Sequence, residues 1–211
     1  MDVLARLDQA RAATDVLQHP FYQRWSAGEL RREELGRYAG QYRHAVVALA
    51  EASDAAAAAA GPGHAGGLRR HAEEERGHVA LWDGFARACG AAEPDEPLAG
   101  TAACVASWQA GDDLLERLAV LYAIEASQPE ISQTKLDGLR EHYDHVQEGP
   151  ATEYFSVHAV RDREHAESAG RLIDELIAAV PDPQATTERM VTRAEAALRG
   201  NWRLLDDVEA A

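Results

Sequence analysis

Between breaks rich in Pro and Gly, apolar residues recur at three- and four-residue spacing along the whole chain, with no β-branched alternation to suggest strands. The breaks fall at His19-Pro20, Gly61-Pro62-Gly63, Ala92 to Gly100, Gly149-Pro150 and Pro181-Asp182-Pro183. Tyr38, Tyr42, Ala45, Val46, Leu49 and Ala50 form one stripe. Leu114, Leu118, Leu121 and Tyr122 form a second, which ends on the carboxylate of Glu125; Leu172, Leu176 and Ile177 form a third. The pattern predicts an all-α chain with helices near 2–17, 31–60, 64–90, 99–110, 112–127, 129–146, 151–180 and 184–208. Short connections make sequential helices antiparallel neighbours, which can project polar side chains into a shared core. No repeat or linker stands out, so residues 1–211 read as one helical-bundle domain. A domain of that length buries roughly 70% of its unfolded surface without a disulfide or a structural metal.

Charge narrows the function. Lys and Arg number 21 against 36 Asp and Glu, a formal net charge of −15. Such a surface repels phosphate backbones and anionic lipid, so neither a nucleic acid nor a membrane is expected as a partner. No apolar stretch approaches the ~18 residues of a membrane span, and Met1 to Arg6 lacks the start of a secretory signal. The two cysteines, Cys89 and Cys104, show no metal spacing. A cytoplasmic location is expected. Lys135 is the sole lysine of the chain.

Three clusters could carry chemistry. In the helix expected over 151–180, His158, Asp162 and His165 stand at offsets of 0, +4 and +7, within about 60° of arc on one face. Two imidazoles and a carboxylate suit iron, manganese or zinc, although nearby Arg161, Arg163, Glu164 and Glu167 also allow a solvated polar face. In the helix over 64–90, Glu74 and His78 are four apart; Glu75 and His78, three apart, share a face almost as well. Glu-x-x-His is the spacing of carboxylate-bridged di-iron bundles, and an exposed acidic run is the plainer alternative. Glu125 ends a stripe that is otherwise apolar, where a carboxylate needs a proton, a cation or an Arg across the bundle. Together Glu74, His78, Glu125, His158, Asp162 and His165 are too many donors for one four-coordinate zinc. They suit two redox metals with positions left open for dioxygen.

These residues also carry a resemblance. His19-Pro-Phe-Tyr22-Gln-Arg-Trp25-Ser-Ala-Gly28-Glu29-Leu30, Glu74-Glu75-Arg-Gly77-His78-Val-Ala-Leu81-Trp82, Tyr122-Ala-Ile-Glu125, Lys135-Leu-Asp-Gly138-Leu139 and His158-x3-Asp162-x2-His165 follow one another in the order of a known family. The chain resembles the heme-oxygenase-like di-iron oxidases of the TenA/PqqC-like superfamily, and within them the group of the Chlamydia protein associating with death domains. The resemblance implies a seven-helix heme-oxygenase-like bundle without heme, holding an iron/iron or iron/manganese pair that activates dioxygen with an external reductant. It also implies synthesis of p-aminobenzoate for folate, the ring coming from the protein's own Tyr22 and the nitrogen from Lys135. A surviving lysine in an Arg-rich chain fits a need for an amine that can lose its proton. Tyr22 could equally be an aromatic plug under the bundle. Two departures stand out. The family usually sets about six residues between its first Glu and His, where Glu74 and His78 enclose three, leaving Glu74 and Glu75 as rivals. Ile124 replaces a second active-site tyrosine. A multi-turnover oxygenase acting on a free amino acid or fatty acid, and a non-catalytic interaction module, are the alternatives; a homodimer is left open.

Overall fold

The computed structural model describes residues 2–91, 96–146 and 149–211, so the break over Ala92 to Gly100 lies partly outside the described residues. Among the described residues there is no strand. The α-helices are α1 (Val3–Ala13), α2 (Pro20–Ser26), α3 (Arg32–Ala59), α4 (Ala65–Ala88), α5 (Ala99–Trp108), α6 (Leu114–Glu125), α7 (Gln128–His142), α8 (Glu153–Ile177) and α9 (Pro183–Ala210). Local chemistry sets several starts. The Asp113 and Asp182 side chains accept from the backbone N–H groups of Glu116 and Ala185, and Pro183 occupies the first turn of α9. No helix among the described residues is long and apolar enough to cross a membrane.

Three stretches differ from expectation, one of them the helix expected over 129–146, which ends at His142. The first helix stops at Ala13 rather than 17, because Asp15 turns its side chain onto Leu17 N–H and caps a 3₁₀ turn over Val16–Gln18. The segment left between helices contains α2, started by Pro20 at its first position and by His19, whose Nδ1 accepts from Phe21 N–H at 3.0 Å. His19 Nε2 faces Asp206 of α9 at 3.1 Å, so one buried imidazole ties the start of α2 to the last helix. This short helix buries Phe21, Tyr22 and Trp25.

The interior has two apolar halves. One is aromatic, with Phe21, Tyr22, Trp25, Tyr38, Tyr42, Trp82, Phe85, Trp108, Tyr154 and Phe155. The other is aliphatic, built from Val3, Leu7, Leu68, Leu118, Ile173 and Met190. α4 and α8 run through both. Along α4 the inward stripe reads Leu68, His71, Glu75, His78, Trp82; along α8 it reads Phe155, His158, Asp162, His165, Ala169, Ile173. The alternating three- and four-residue steps hold one face of each helix, so polar side chains form a waist between two apolar ends. Val160, next to this stripe in sequence, is instead exposed.

Candidate metal centre and lysine chamber

Seven side chains converge at the waist. His71 Nε2 lies 2.7 Å from Glu125 Oε1 and 3.7 Å from Glu75 Oε1. His165 Nδ1 lies 3.7 Å from Glu75 Oε1 and 3.6 Å from Asp162 Oδ1, and His78 Nδ1 is 3.2 Å from Glu75 Oε1. One donor atom from each of His71, Glu75, Glu125 and His165 falls within 4.8 Å of the others, and so does one from each of Glu75, His78 and His158. Glu75 belongs to both groups and would be shared between ions held there. Imidazoles pair across α4 and α8, His71 with His165 at 4.2 Å between ring centres and His78 with His158 at 4.4 Å.

The donor atoms crowd together without satisfying one another. His71 Nε2, Glu75 Oε1, His78 Nδ1, both Glu125 oxygens, His158 Nε2, both Asp162 oxygens and His165 Nδ1 are buried with no hydrogen bond of acceptable geometry. At about 1–3 kcal/mol for each unsatisfied group, these nine atoms alone rival the whole net stability of a domain. Four imidazole nitrogens and three carboxylates fit first-row divalent ions, and cations at the two groups would give partners to the donor atoms that His71, Glu75, Glu125, His165, His78 and His158 turn toward them. The surroundings already orient the rings. His158 Nδ1–H donates to the Tyr154 carbonyl at 2.7 Å, which leaves its Nε2 lone pair facing the waist, and the Tyr154 ring stacks on the imidazole at 3.9 Å.

Mutual fields shift these groups in opposite directions. Burial lowers His158 to about 4, with His78 adding to the effect. Burial raises Asp162 to about 7 against the pull of His165. For His165 burial works downward, but Asp162, Glu125, Glu74 and Glu75 outweigh it and raise it to about 9. Glu75 is lowered despite its burial, because His78 and the neighbouring imidazoles favour its charge.

The structure brings together five of the six expected donors: His78, Glu125, His158, Asp162 and His165. Glu74 joins neither group. It is half-exposed, accepts from Arg161 Nη2 at 3.0 and 2.9 Å, and meets His165 Nε2 at 3.0 Å. The physical reason is register. Glu75 is on the three-four stripe that links His71 and His78 to Trp82, and Glu74 is one residue off it. His71 opens the acidic His71–His78 run but is not among the six donors expected from the sequence. Two signals pointed to it, the same stripe continued back to Leu68 and the six-residue interval counted back from His78.

On the aromatic side, Lys135 of α7 is fully buried and its Nζ has no hydrogen-bond partner. Nζ stands 4.8 Å from the Tyr42 ring centre, 5.4 Å from both Tyr22 and Tyr38, 5.3 Å from Phe155 and 5.7 Å from Trp82. Burial lowers its pKa to about 7. The Tyr22 hydroxyl pairs with that of Tyr38 at 3.0 Å, and burial raises both phenols well above their ordinary value. Trp25 Nε1–H donates to the Lys135 carbonyl at 3.2 Å, and Gly138, one turn on, lets α7 meet the Trp25 ring. Ile124 is buried and offers no hydroxyl.

The chain is similar to known proteins over most of its length. Residues 37–200 match the family model described as iron-containing redox enzyme. The chain is 31% identical to a 4-aminobenzoate synthase of Nitrosomonas europaea, over 96% of this chain and 89% of the relative. It is 30% identical to a 4-aminobenzoate synthase of Chlamydia trachomatis, over 92% and 89%. Among solved structures, a heme oxygenase-like domain of unknown function from Shewanella denitrificans superposes with TM-score 0.79 at 20% identity, covering 100% of this chain and 93% of that one. A TenA homolog from Pseudomonas syringae superposes with TM-score 0.83 at 16% identity, covering 99% and 91%. The fold is therefore heme-oxygenase-like.

Proposed function

The chain belongs to the iron-containing redox enzyme family, and on that premise we propose that it is a dinuclear oxidase, iron/iron or iron/manganese, that makes 4-aminobenzoate from its own Tyr22 with Lys135 as amine donor. The ligand set of this reading is His71, Glu75, Glu125 and His165 at one position and Glu75, His78 and His158 at the other, with Asp162 beside His165. The relatives named 4-aminobenzoate synthase support the product. Bound ions of this kind supply dioxygen activation, with an external reductant restoring them.

The observation that carries the reading is the lysine chamber. A nucleophilic amine must be neutral, and Lys135, desolvated among rings with a pKa of about 7, is half deprotonated near neutral pH. Arg could not take this role, because its guanidinium keeps its proton. Tyr22 stands beside that amine with its phenol protonated and anchored on Tyr38. The aromatic walls exclude water. The bond from Trp25 to the Lys135 carbonyl fixes the turn of α7 that presents the amine.

The test is to make the protein with ring-labelled tyrosine, load ferrous iron with and without manganese, add reductant and air, and look for labelled 4-aminobenzoate by mass spectrometry. Labelled product is expected from the wild type and none from Tyr22→Phe, with metal uptake unchanged. Full yield from Tyr22→Phe would end the self-consuming scheme. One observation favours a second reading, a multi-turnover oxygenase with an external substrate: a cleft of about 630 Å³ between α4 and α8 has His71 and His165 in its lining. A chain that takes up no iron or manganese at all would instead favour an interaction module.

A further inference from the structure

Glu74 stands outside both donor groups and still touches one of them. Its carboxylate is clamped by Arg161, whose Nη2 donates to Oε1 at 3.0 Å and to Oε2 at 2.9 Å, while Nη1 donates to Glu164 at 2.6 Å. Held in this way, Glu74 Oε2 lies 3.0 Å from His165 Nε2. On the other side of the ring, His165 Nδ1 is buried, has no hydrogen-bond partner and faces Asp162 and Glu75. A carboxylate against one ring nitrogen keeps the proton there, so the lone pair of the other nitrogen points into the donor group. His158 is oriented from behind too, but by the neutral carbonyl of Tyr154. The two inward-facing imidazoles of α8 thus differ in what stands behind them, a full negative charge for one and a partial charge for the other.

We propose that Glu74, clamped by Arg161, is a positioning residue for His165: it orients the ring with Nδ1 inward, strengthens it as a ligand and makes the two metal positions unequal. The proposal rests on the dinuclear reading above. It assigns Glu74 to the position shared by His71, Glu75, Glu125 and His165, and leaves the position of His78 and His158 independent of it. Glu74 and Arg161 also line the cleft beside His71 and His165, so this support stands where solvent reaches the site.

The experiment is an anaerobic titration of the full chain with isotopically enriched ferrous iron, and separately with manganous ion. The two positions are resolved by Mössbauer or paramagnetic resonance spectra. In Glu74→Ala the affinity of one position should fall about 10–100-fold while the other is unchanged, and the spectrum of the weakened position should change. Glu74→Gln, which keeps an acceptor for the His165 N–H, should lose less. Arg161→Gln should weaken the same position by a smaller factor. Unfolding of the metal-free variants should stay close to wild type, which separates positioning from general loss of structure. The proposal is overturned if Glu74→Ala leaves both affinities unchanged, or if it lowers both alike. It is also overturned if Glu74→Gln is as damaging as Glu74→Ala. A wild-type chain that never takes up a second equivalent of metal would overturn the dinuclear reading and this inference together; a wild type with two ions and an indifferent Glu74→Ala overturns the inference alone.

Discussion

The waist between α4 and α8 and the chamber around Lys135 both bury polar atoms that nothing satisfies, and α8 contributes to both, Phe155 to the chamber and His158, three residues on, to the waist. At the waist three carboxylates and four imidazoles face one another, so no single change of protonation removes the conflict; Glu75 is driven toward its charged form while Asp162, a few ångströms from His165, is driven toward its neutral one. Around Lys135 there is one amine and no counter-charge among the rings that surround it, and losing a proton is enough. A crowded set of mixed donors therefore calls for cations, and a solitary amine among rings calls for neutrality. The first region should respond to metal, the second to pH.

That contrast can be broken at either end. The largest effect is expected from Glu75→Ala, because Glu75 is the residue common to both donor groups. Uptake of both ions should be lost, and with it the rise in unfolding temperature on loading. For a metal at a hundred times its Kd that rise corresponds to about 3 kcal/mol per ion. Thermal unfolding of both chains, with metal and with chelator, measures it; a variant that still gains two ions would show that Glu75 is not shared between them. Lys135→Met should leave metal uptake intact and act through pH instead. Unfolded Lys135 keeps its proton up to 10.5, whereas the folded chain sheds it above about 7. Between those values the unfolded chain binds more protons, so stability rises with pH across the window. The methionine variant should lose that slope and be more stable at neutral pH by on the order of 4 kcal/mol. Equal slopes in the two chains, from unfolding followed between pH 7 and 10, would mean the amine is not desolvated.

Smaller effects probe how the chamber is held. A Cβ at Gly138 would meet the Trp25 indole at 2.6 Å. Gly138→Ala should therefore cost about 1–3 kcal/mol through overpacking. It should also lower the yield of 4-aminobenzoate by moving α7, and with it Lys135, relative to Tyr22. Metal affinity should not follow. A loss of metal in this variant would show that the two regions are mechanically one.

What could be read from the sequence divides along the same line. Helix positions followed from apolar spacing, because α3 to α9 are long enough for a stripe to repeat; α2 has only two turns and was hidden, although Pro20 and the capping His19 marked its start. His158, Asp162 and His165 were legible because the four-plus-three spacing puts all three on one face whatever surrounds them. The α4 donors were harder. His71-Ala-Glu73-Glu74-Glu75 supplies a carboxylate for almost any register, and only the packing of Leu68 and Trp82 decides that the inward face passes through His71 and Glu75. Exposure is a property of the neighbouring helices, and the acidic run by itself does not contain it. For Lys135, its being the sole lysine marked the position, but the ring of tyrosines around it comes from α2 and α3, far away in sequence.

The smallest effect concerns which of those tyrosines matters. Lys135 Nζ is equally distant from the ring centres of Tyr22 and Tyr38, so distance alone does not choose between them. The hydroxyls share one hydrogen bond, 3.0 Å from each other, and the rings differ in company: both meet Phe21 and Trp25, but Tyr38 also packs on Tyr42 and Trp82 as part of the aromatic wall. Tyr38→Phe removes one hydrogen-bonding group and no ring, and should cost only about 1 kcal/mol, mostly by leaving the Tyr22 hydroxyl without a partner. If Tyr38 serves as an anchor, labelled 4-aminobenzoate should still form in Tyr38→Phe at a reduced rate, and peptide mapping should find the modified residue at position 22. Loss of all product in Tyr38→Phe, with full product in Tyr22→Phe, would exchange the two roles: Tyr38 would be the ring that is consumed and Tyr22 the wall that holds it.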